Sequence, residues 1–200
     1  MSIICKSHFT RKTRILNPSI LSSQKRLIEA KKPLLIKTRR LGYDGKGQVL
    51  IKTQNDIKKN FRGNKISSSI AEEVIKFDKE FSIIIIRDKV GNIKTFEPGE
   101  NVHEHGILVT TTLPASISEL LKNNAIMISK RIVDDLDYVG VMGVEFFLKE
   151  HEILVNEIAP RVHNSGHWTM DGSYSSQFQQ HIRAIMELPL LSTERHSDIV

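Results

Sequence analysis

The chain has 200 residues, of which 40% are hydrophobic and 26% charged, a composition typical of a globular protein of one or two domains. Its longest apolar run, residues 83–86, is far shorter than the roughly 20 residues of a membrane-spanning helix, which excludes a helical membrane protein. The single cysteine, Cys5, excludes an internal disulfide and suits the reducing cytoplasm, where we expect the protein to act.

The net charge of +6 is concentrated at the N-terminus. Residues 1–40 contain eleven Lys and Arg and one acid, whereas the rest of the chain contains eighteen Lys and Arg against twenty-two acids. Such a basic start occurs in nucleic-acid-binding proteins, in organelle transit peptides and in solvated tails of biased composition. Without a supporting motif we favour a solvated tail, treat residues 1–20 as an unassigned basic segment, and do not expect nucleic acid as a partner.

The first half of the chain contains short apolar strands and turns. Residues 1–20 have neither helical nor strand periodicity and are expected to be irregular. Residues 34–36 and 49–51 are predicted strands, and the glycine-rich residues 42–48 between them predict a hairpin tip. Asn55 is then expected to cap a short helix.

The second half predicts a sheet with two helices. The expected elements are a strand at 81–87 returning through 93–96, a helix to 136, strands at 141–148 and 153–158, and a helix at 175–187. Ser116 and Glu119 have the spacing of a capping box for the first helix, whose periodicity includes Leu120 as an inward residue. The last helix is expected to bury its apolar stripe, which consists of Phe178, Ile182, Ile185 and Met186. Hairpins packed with helices indicate an α+β fold.

The most informative physical feature is a pair of acids in the hairpin around His151. If residues 150–152 form the turn, Glu145 lies directly opposite Glu157, where like charges repel. The pair is tolerated if one acid is protonated, if both reach solvent, or if a cation lies between them. Both acids lie in apolar strands, which disfavours free solvation, although two edge-strand glutamates facing water are an equal alternative. Mg²⁺ prefers such hard oxygen ligands, and Asn164 could supply a third oxygen.

A possible phosphate site precedes this hairpin. Lys37 leads into residues 42–48, whose three glycines let backbone N–H groups approach an anion. The spacing is neither a Walker A motif nor a Rossmann fingerprint. Taken alone, the segment is better explained as a tight hairpin with basic surface residues, and the carboxylate pair downstream is what favours a phosphate site.

Four segments carry a family resemblance: KTRRLGYDGKGQ at 37–48, ENVHEHGI at 100–107, YVGVMGVE at 138–145 and NEIAPRVHNSGHWT at 156–169. Together they resemble the carboxyaminoimidazole ribonucleotide synthases, ATP-grasp ligases of purine biosynthesis. The match spans residues 21–190 and leaves 191–200 as a C-terminal tail. It implies an ATP-grasp fold that lacks the family's N-terminal Rossmann-like domain and small C-terminal domain.

The resemblance also implies an activity. ATP with Mg²⁺ would phosphorylate bicarbonate to carboxyphosphate, which would carboxylate aminoimidazole ribonucleotide. Either a homodimer or a complementing chain is a conceivable assembly, and an inactive remnant that at most binds MgATP is an alternative.

Residue roles follow from the resemblance position by position. Lys37 would hold the ATP phosphates under a cover formed by Gly42, Tyr43, Asp44, Gly45, Lys46, Gly47 and Gln48. The adenine would meet a hinge formed by Glu72, Glu73, Val74 and Ile75. Glu80 would bind the ribose hydroxyls, with His103 and Asn156 as further nucleotide-site residues. Mg²⁺ would be bound by Glu145 and Glu157, and the bicarbonate-derived group and the ribonucleotide would be faced by Arg161, His163 and Asn164.

Overall fold

The computed structural model describes residues 13–15, 33–38, 47–60 and 69–198. These residues fall into two units: the first contains those up to Lys76, and the second begins at Phe77. Among the helices of the described residues, none is both long enough and apolar enough to cross a bilayer.

The first unit contains a four-stranded antiparallel sheet. Its elements are β1 (Thr13–Ile15), β2 (Leu34–Thr38), β3 (Gln48–Ile51), α1 (Gln54–Asn60) and β4 (Ser69–Glu73), with strand order β1-β4-β2-β3. The predicted hairpin is confirmed, because Lys37 in β2 pairs with Gln48 in β3. The expectation that residues 1–20 are irregular is wrong at β1. That strand pairs with β4, more than fifty residues away in sequence, so no local pattern marks it.

Helix α1 is capped by Thr53 and not by Asn55 as predicted. The Thr53 hydroxyl accepts a hydrogen bond from the Asp56 N–H at 3.3 Å, and the Asp56 carboxylate accepts one from the Thr53 N–H at 2.8 Å. This reciprocal pair is a capping box. Backbone donation, first from Thr53 and then from Lys52, lowers the pKa of Asp56.

The second unit is built on six antiparallel strands. They are β5 (Lys79–Arg87), β6 (Ile93–Thr95), β7 (Gly99–Glu104), β8 (Ile107–Thr112), β9 (Gly140–Lys149) and β10 (Glu152–Ala159). Their order is β10-β9-β5-β7-β8, and β6 pairs with the end of β5. The centre of β5 is buried on both faces, which explains its continuous run of isoleucines. Ile83 and Ile85 belong to one apolar cluster, whereas Ile84 and Ile86 belong to another.

One face of this sheet is covered by helix α2 (Glu119–Asp135). The predicted helix is confirmed, and Ala125, Ile132 and Val133 are buried with residues of β5 and β9. Two details were predicted wrongly. The cap is Ser118, whose hydroxyl accepts from the Leu121 N–H, and Leu120 is 71% exposed because it lies outside the buried stripe.

The other face is covered by a 3₁₀ turn (Asn164–Gly166), the short helix α3 (Thr169–Gly172) and helix α4 (Gln177–Ile185). The prediction for α4 was inverted, because its expected apolar stripe faces solvent at Phe178, Ile182, Ile185 and Met186. The polar residues Gln177 and Gln180 are buried instead. They are stable there because each amide group bonds to backbone: Gln177 to both polar atoms of the His163 backbone, and Gln180 to those of Leu191.

Candidate functional site: a carboxylate and histidine cluster

The β9–β10 hairpin places Glu145 directly opposite Glu157, as predicted. The predicted three-residue turn is wrong, because Lys149 pairs with Glu152 and only two residues connect the strands. A bulge between Val155 and Glu157 inserts one extra residue and restores the pairing. Because directly paired residues of a ladder project to the same face, the two carboxylates lie side by side.

The two acids differ in environment. Glu145 is buried, whereas Glu157 is exposed, so the alternative of an edge-strand glutamate facing water holds for Glu157 but not for Glu145. Burial first, and then the charges of Glu157 and Glu80, raise the pKa of Glu145 to about 7. The buried acid therefore resists ionisation unless a positive charge lies near it.

Glu145 also forms part of a group with Glu80 and His103. One potential ligand atom from each lies within 4.8 Å of the others. His103 Nδ1 is 3.0 Å from Glu80 Oε2, and this hydrogen bond raises the pKa of His103. Asn156, the bulge residue, donates to Glu145 Oε2 at 3.2 Å and to Glu80 Oε1 at 3.4 Å. Three strands and the bulge thus bring four predicted site residues together.

His163 packs against the same buried carboxylate. Its Nε2 lies 3.4 Å from Glu145 Oε1. A Cβ on Gly143 would stand 2.7 Å from His163 Cγ, so the glycine makes room for the ring on β9. Burial, followed by the charge of Arg161, lowers the pKa of His163 to about 4, and the ring is therefore neutral near pH 7.

Other predicted site residues occupy varied environments. Arg161 is exposed and donates to the Val162 carbonyl, and Asn164 is exposed at the start of the 3₁₀ turn. In the first unit, Lys37 forms an ion pair with the buried Glu72 at 3.0 Å. Two other predicted site residues of the first unit lie at β3: Gly47 directly precedes the strand and Gln48 begins it. Three lie at β4: Glu73 ends the strand, and Val74 and Ile75 follow it. Gly42, Tyr43, Asp44, Gly45 and Lys46 lie outside the described residues.

Three polar residues of this region were not assigned from the sequence: Ser82, Asn101 and Ser165. All three are buried. Asn101 pairs with Glu80 across β5 and β7, and its Oδ1 accepts from Thr111. Its Nδ2 is buried with no hydrogen-bond partner among the described residues. Ser82 is two residues from Glu80 in β5, a strand-period spacing that could have placed it on the same face.

Comparison with known proteins decides the family. An ATP-grasp domain model matches residues 16–178. The chain belongs to the ATP-grasp family. The predicted α+β fold of the ATP-grasp type is therefore confirmed.

Several relatives of this ATP-grasp chain are named N5-carboxyaminoimidazole ribonucleotide synthase or synthetase. N5-carboxyaminoimidazole ribonucleotide synthase from Brucella melitensis is 42% identical over 211 residues, covering 98% of the chain and 58% of the relative. A solved synthetase of the same name, in an ADP complex, has a TM-score of 0.82 at 39% identity and covers 93% of the chain and 49% of that protein. A synthase from Aspergillus clavatus, in complex with ADP and 5-aminoimidazole ribonucleotide, has a TM-score of 0.80 at 29% identity, with coverages of 92% and 48%.

Three consequences follow from these matches. The chain spans about half the length of the relatives it matches. The Brucella alignment covers 98% of the chain, so it includes most of residues 1–20, which sequence reasoning left unassigned. The comparisons do not favour the nucleic-acid-binding alternative.

Proposed function

We propose that this ATP-grasp domain binds MgATP and serves in the ATP-dependent carboxylation of 5-aminoimidazole ribonucleotide with bicarbonate. The observation that carries the proposal is the direct pairing of Glu145 with Glu157 on one face of the sheet. The relatives' names and the ligands of their solved forms supply the substrates.

The donor set fits Mg²⁺. Glu145 and Glu157 offer carboxylate oxygens side by side, which is the ligand type that Mg²⁺ prefers next to nucleotide phosphates. The raised pKa of Glu145 supports this assignment, because a cation would remove the penalty for ionising the buried acid. When bound, Mg²⁺ would neutralise charge on the phosphoryl group that is transferred.

The nucleotide is proposed to bind beside this pair. Glu80 accepts hydrogen bonds and would bind the ribose hydroxyls, with its orientation fixed by His103 and Asn156. Asn101 Nδ2 is a buried donor next to Glu80 in the sheet, and no described residue accepts from it, which supports a polar ligand at this position. In the first unit, Lys37 and the residues at 72–75 would contact the phosphates and the adenine.

The loop after β10 would act on the group to be carboxylated. Arg161 provides a permanent positive charge for the bicarbonate-derived anion, and Asn164 provides an amide donor. His163 is neutral near pH 7, so it would contribute a hydrogen bond and not a charge. Phosphoryl transfer needs little covalent chemistry from the protein, and these residues would work by positioning and charge stabilisation.

Calorimetric titration with MgATP tests nucleotide binding. Glu157→Gln keeps the shape of the side chain and removes a proposed metal ligand, so its MgATP affinity is expected to fall at least about tenfold. Glu152→Gln is the matched control, because Glu152 is an exposed glutamate in the same strand. Equal affinities for wild type and Glu157→Gln would refute the metal assignment.

Turnover is tested separately from binding. ADP release is measured with MgATP alone and after addition of bicarbonate and 5-aminoimidazole ribonucleotide. Release that requires both additions supports the synthase activity. MgATP binding without stimulated release would instead support the alternative of a nucleotide-binding remnant. Repeating the assay with the remaining part of a relative as a separate chain asks whether complementation supplies the activity.

A further inference from the structure

We propose that Ser165 and Ser82 are positioning residues that hold the His163 ring as its Nε2–H tautomer and thereby direct that N–H at Glu145. The consequence for Mg²⁺ rests on the proposed function. The tautomer itself does not, because it follows from contacts within the second unit.

The evidence begins at His163 Nδ1. The Ser165 backbone N–H points at this atom, with 3.4 Å between the nitrogens, and the Ser165 hydroxyl lies 2.8 Å from it. A backbone N–H can only donate, so Nδ1 must be the acceptor. A neutral imidazole carries one N–H, and the proton is therefore on Nε2. Nε2 is the atom that faces Glu145 Oε1 at 3.4 Å.

Ser82 completes the arrangement from the central strand. Its hydroxyl donates to the Ser165 hydroxyl oxygen at 2.7 Å, and the two side chains are 2% and 1% exposed. Since Ser165 accepts from Ser82, its own proton is free to be donated to His163 Nδ1. The direction of donation then runs from Ser82 through Ser165 to His163 Nδ1, which leaves the Nε2–H facing Glu145 Oε1 at 3.4 Å. No solvent competes for these hydroxyl groups at such burial.

The ring cannot easily turn to exchange its two nitrogens. Its Cβ and Cγ lie against Gly143, close enough that an added Cβ there would stand 2.8 and 2.7 Å away. The Gln177 side chain binds both the N–H and the carbonyl of His163, at 2.9 and 2.7 Å, and so fixes the backbone from which the ring extends. The ring orientation is therefore determined before any ligand arrives.

This arrangement matters for the buried carboxylate. Nε2–H faces Oε1 of Glu145, while the Asn156 amide donates to Oε2 at 3.2 Å. The hydrogen bond on Oε2 and the Nε2–H that faces Oε1 together restrict the plane of the carboxylate. A metal ligand held in one plane loses less entropy on binding than a free one, and loss of such supporting bonds typically weakens metal binding by about 10- to 100-fold.

Nitrogen NMR of histidine-labelled protein tests the tautomer without any ligand. In a long-range proton–nitrogen correlation spectrum, His163 of the wild type is expected to show a protonated Nε2 and an unprotonated Nδ1. Ser165→Ala removes the stronger of the two donors to Nδ1, so the spectrum is expected to shift towards an Nδ1–H or mixed tautomer. Ser129→Ala is the control, because Ser129 is an equally buried serine whose hydroxyl donates to the Ala125 carbonyl within α2.

Metal-dependent nucleotide binding tests the consequence. Ser165→Ala is expected to weaken MgATP binding about tenfold and to leave binding of metal-free ATP much less affected, a difference that general loosening of the fold would not produce. Ser82 is one hydrogen bond further from His163 than Ser165 is. Ser82→Ala is therefore expected to weaken MgATP binding by a smaller factor. It carries the test if Ser165→Ala fails to fold.

The outcomes separate the two proposals. A wild-type spectrum with Nδ1–H, or a Ser165→Ala spectrum identical to that of the wild type, overturns the positioning role whatever the protein binds. If the spectra show the expected tautomers but both serine variants bind MgATP with the affinity of the wild type, the link between the tautomer and metal binding is overturned. Absence of MgATP binding by the wild type overturns the proposed function and leaves the tautomer to be judged from the spectra.

Discussion

Replacing Glu145 with glutamine should change how the stability of the second unit depends on pH. The folded-state pKa of Glu145 is raised from 4.5 to about 7, chiefly by burial. A carboxyl group with a raised pKa favours the protonated folded state. Its stabilising contribution is therefore complete below pH 4.5 and is lost as the pH rises through about 7.

The size of this loss of unfolding free energy follows from the two pKa values of Glu145, 4.5 and about 7. At about 1.4 kcal/mol per pH unit, the loss between about pH 5 and about pH 8 amounts to about 2 to 3 kcal/mol. His163 acts in the opposite direction, because its lowered pKa contributes stability above 6.5 that is lost as the pH falls towards 4. At each pH, the unfolding free energy of the variant is subtracted from that of the wild type. The contribution of His163 is the same in both proteins and cancels in this difference.

The assay is urea unfolding of wild type and Glu145→Gln at these two pH values, with a chelator present. We expect the wild type to lose about 2 to 3 kcal/mol more than the variant on going to the higher pH. Glu152→Gln is the control and should follow the wild type, because Glu152 is exposed. The same pH dependence in wild type and Glu145→Gln would refute the reasoning that burial and neighbouring acids penalise ionisation of Glu145.

Three further changes have expected outcomes. Gly143→Ala places a Cβ 2.7 Å from His163 Cγ and should cost about 1 to 3 kcal/mol in urea unfolding, whereas an unchanged midpoint would mean that the ring moves freely. Glu80→Gln removes the acceptor that raises the pKa of His103, so an NMR titration should show a lower His103 pKa than in the wild type. Ser118→Ala removes the cap of α2 and should cost about 1 kcal/mol of unfolding free energy; no loss would argue against that cap.

The strands of both units could be predicted from sequence where their periodicity is local. The isoleucine run of β5 and the β2–β3 hairpin needed only composition and turn residues. Glu145 was found from its position opposite Glu157 in the predicted hairpin, and His163 was found because it lies in the long quoted segment at 156–169. β1 could not be found, since its pairing with β4 is specified by distant residues.

The Glu145–Glu157 pairing was predicted correctly for a partly wrong reason. The sequence does not reveal whether the turn has two or three residues, or whether a bulge follows it. Here the turn is one residue shorter than predicted, and the bulge adds one residue to β10. The two differences cancel, so Glu145 still pairs with Glu157. The bulge residue Asn156 then became a bridge between Glu80 and Glu145, a role that hairpin counting gave no means to foresee.

Helix α4 shows why hydrophobic periodicity can mislead about orientation. Its apolar stripe predicts an inward face, but the core beside it offers backbone groups that need hydrogen bonds. Gln177 and Gln180 satisfy those groups and are buried for that reason, whereas Phe178 and Ile182 remain outside. Burial of glutamine is decided by tertiary partners, which a single sequence does not display.

The position of the bound metal tests the central claim most directly. Crystals of the chain grown with ADP and Mn²⁺, a substitute for Mg²⁺ that scatters anomalously, would locate the cation. We predict an anomalous peak between the carboxylates of Glu145 and Glu157, at roughly 2.1 Å from an oxygen of each. A peak bound by Glu80 and His103 with Glu157 in solvent, or no peak in crystals that contain the nucleotide, would contradict the account.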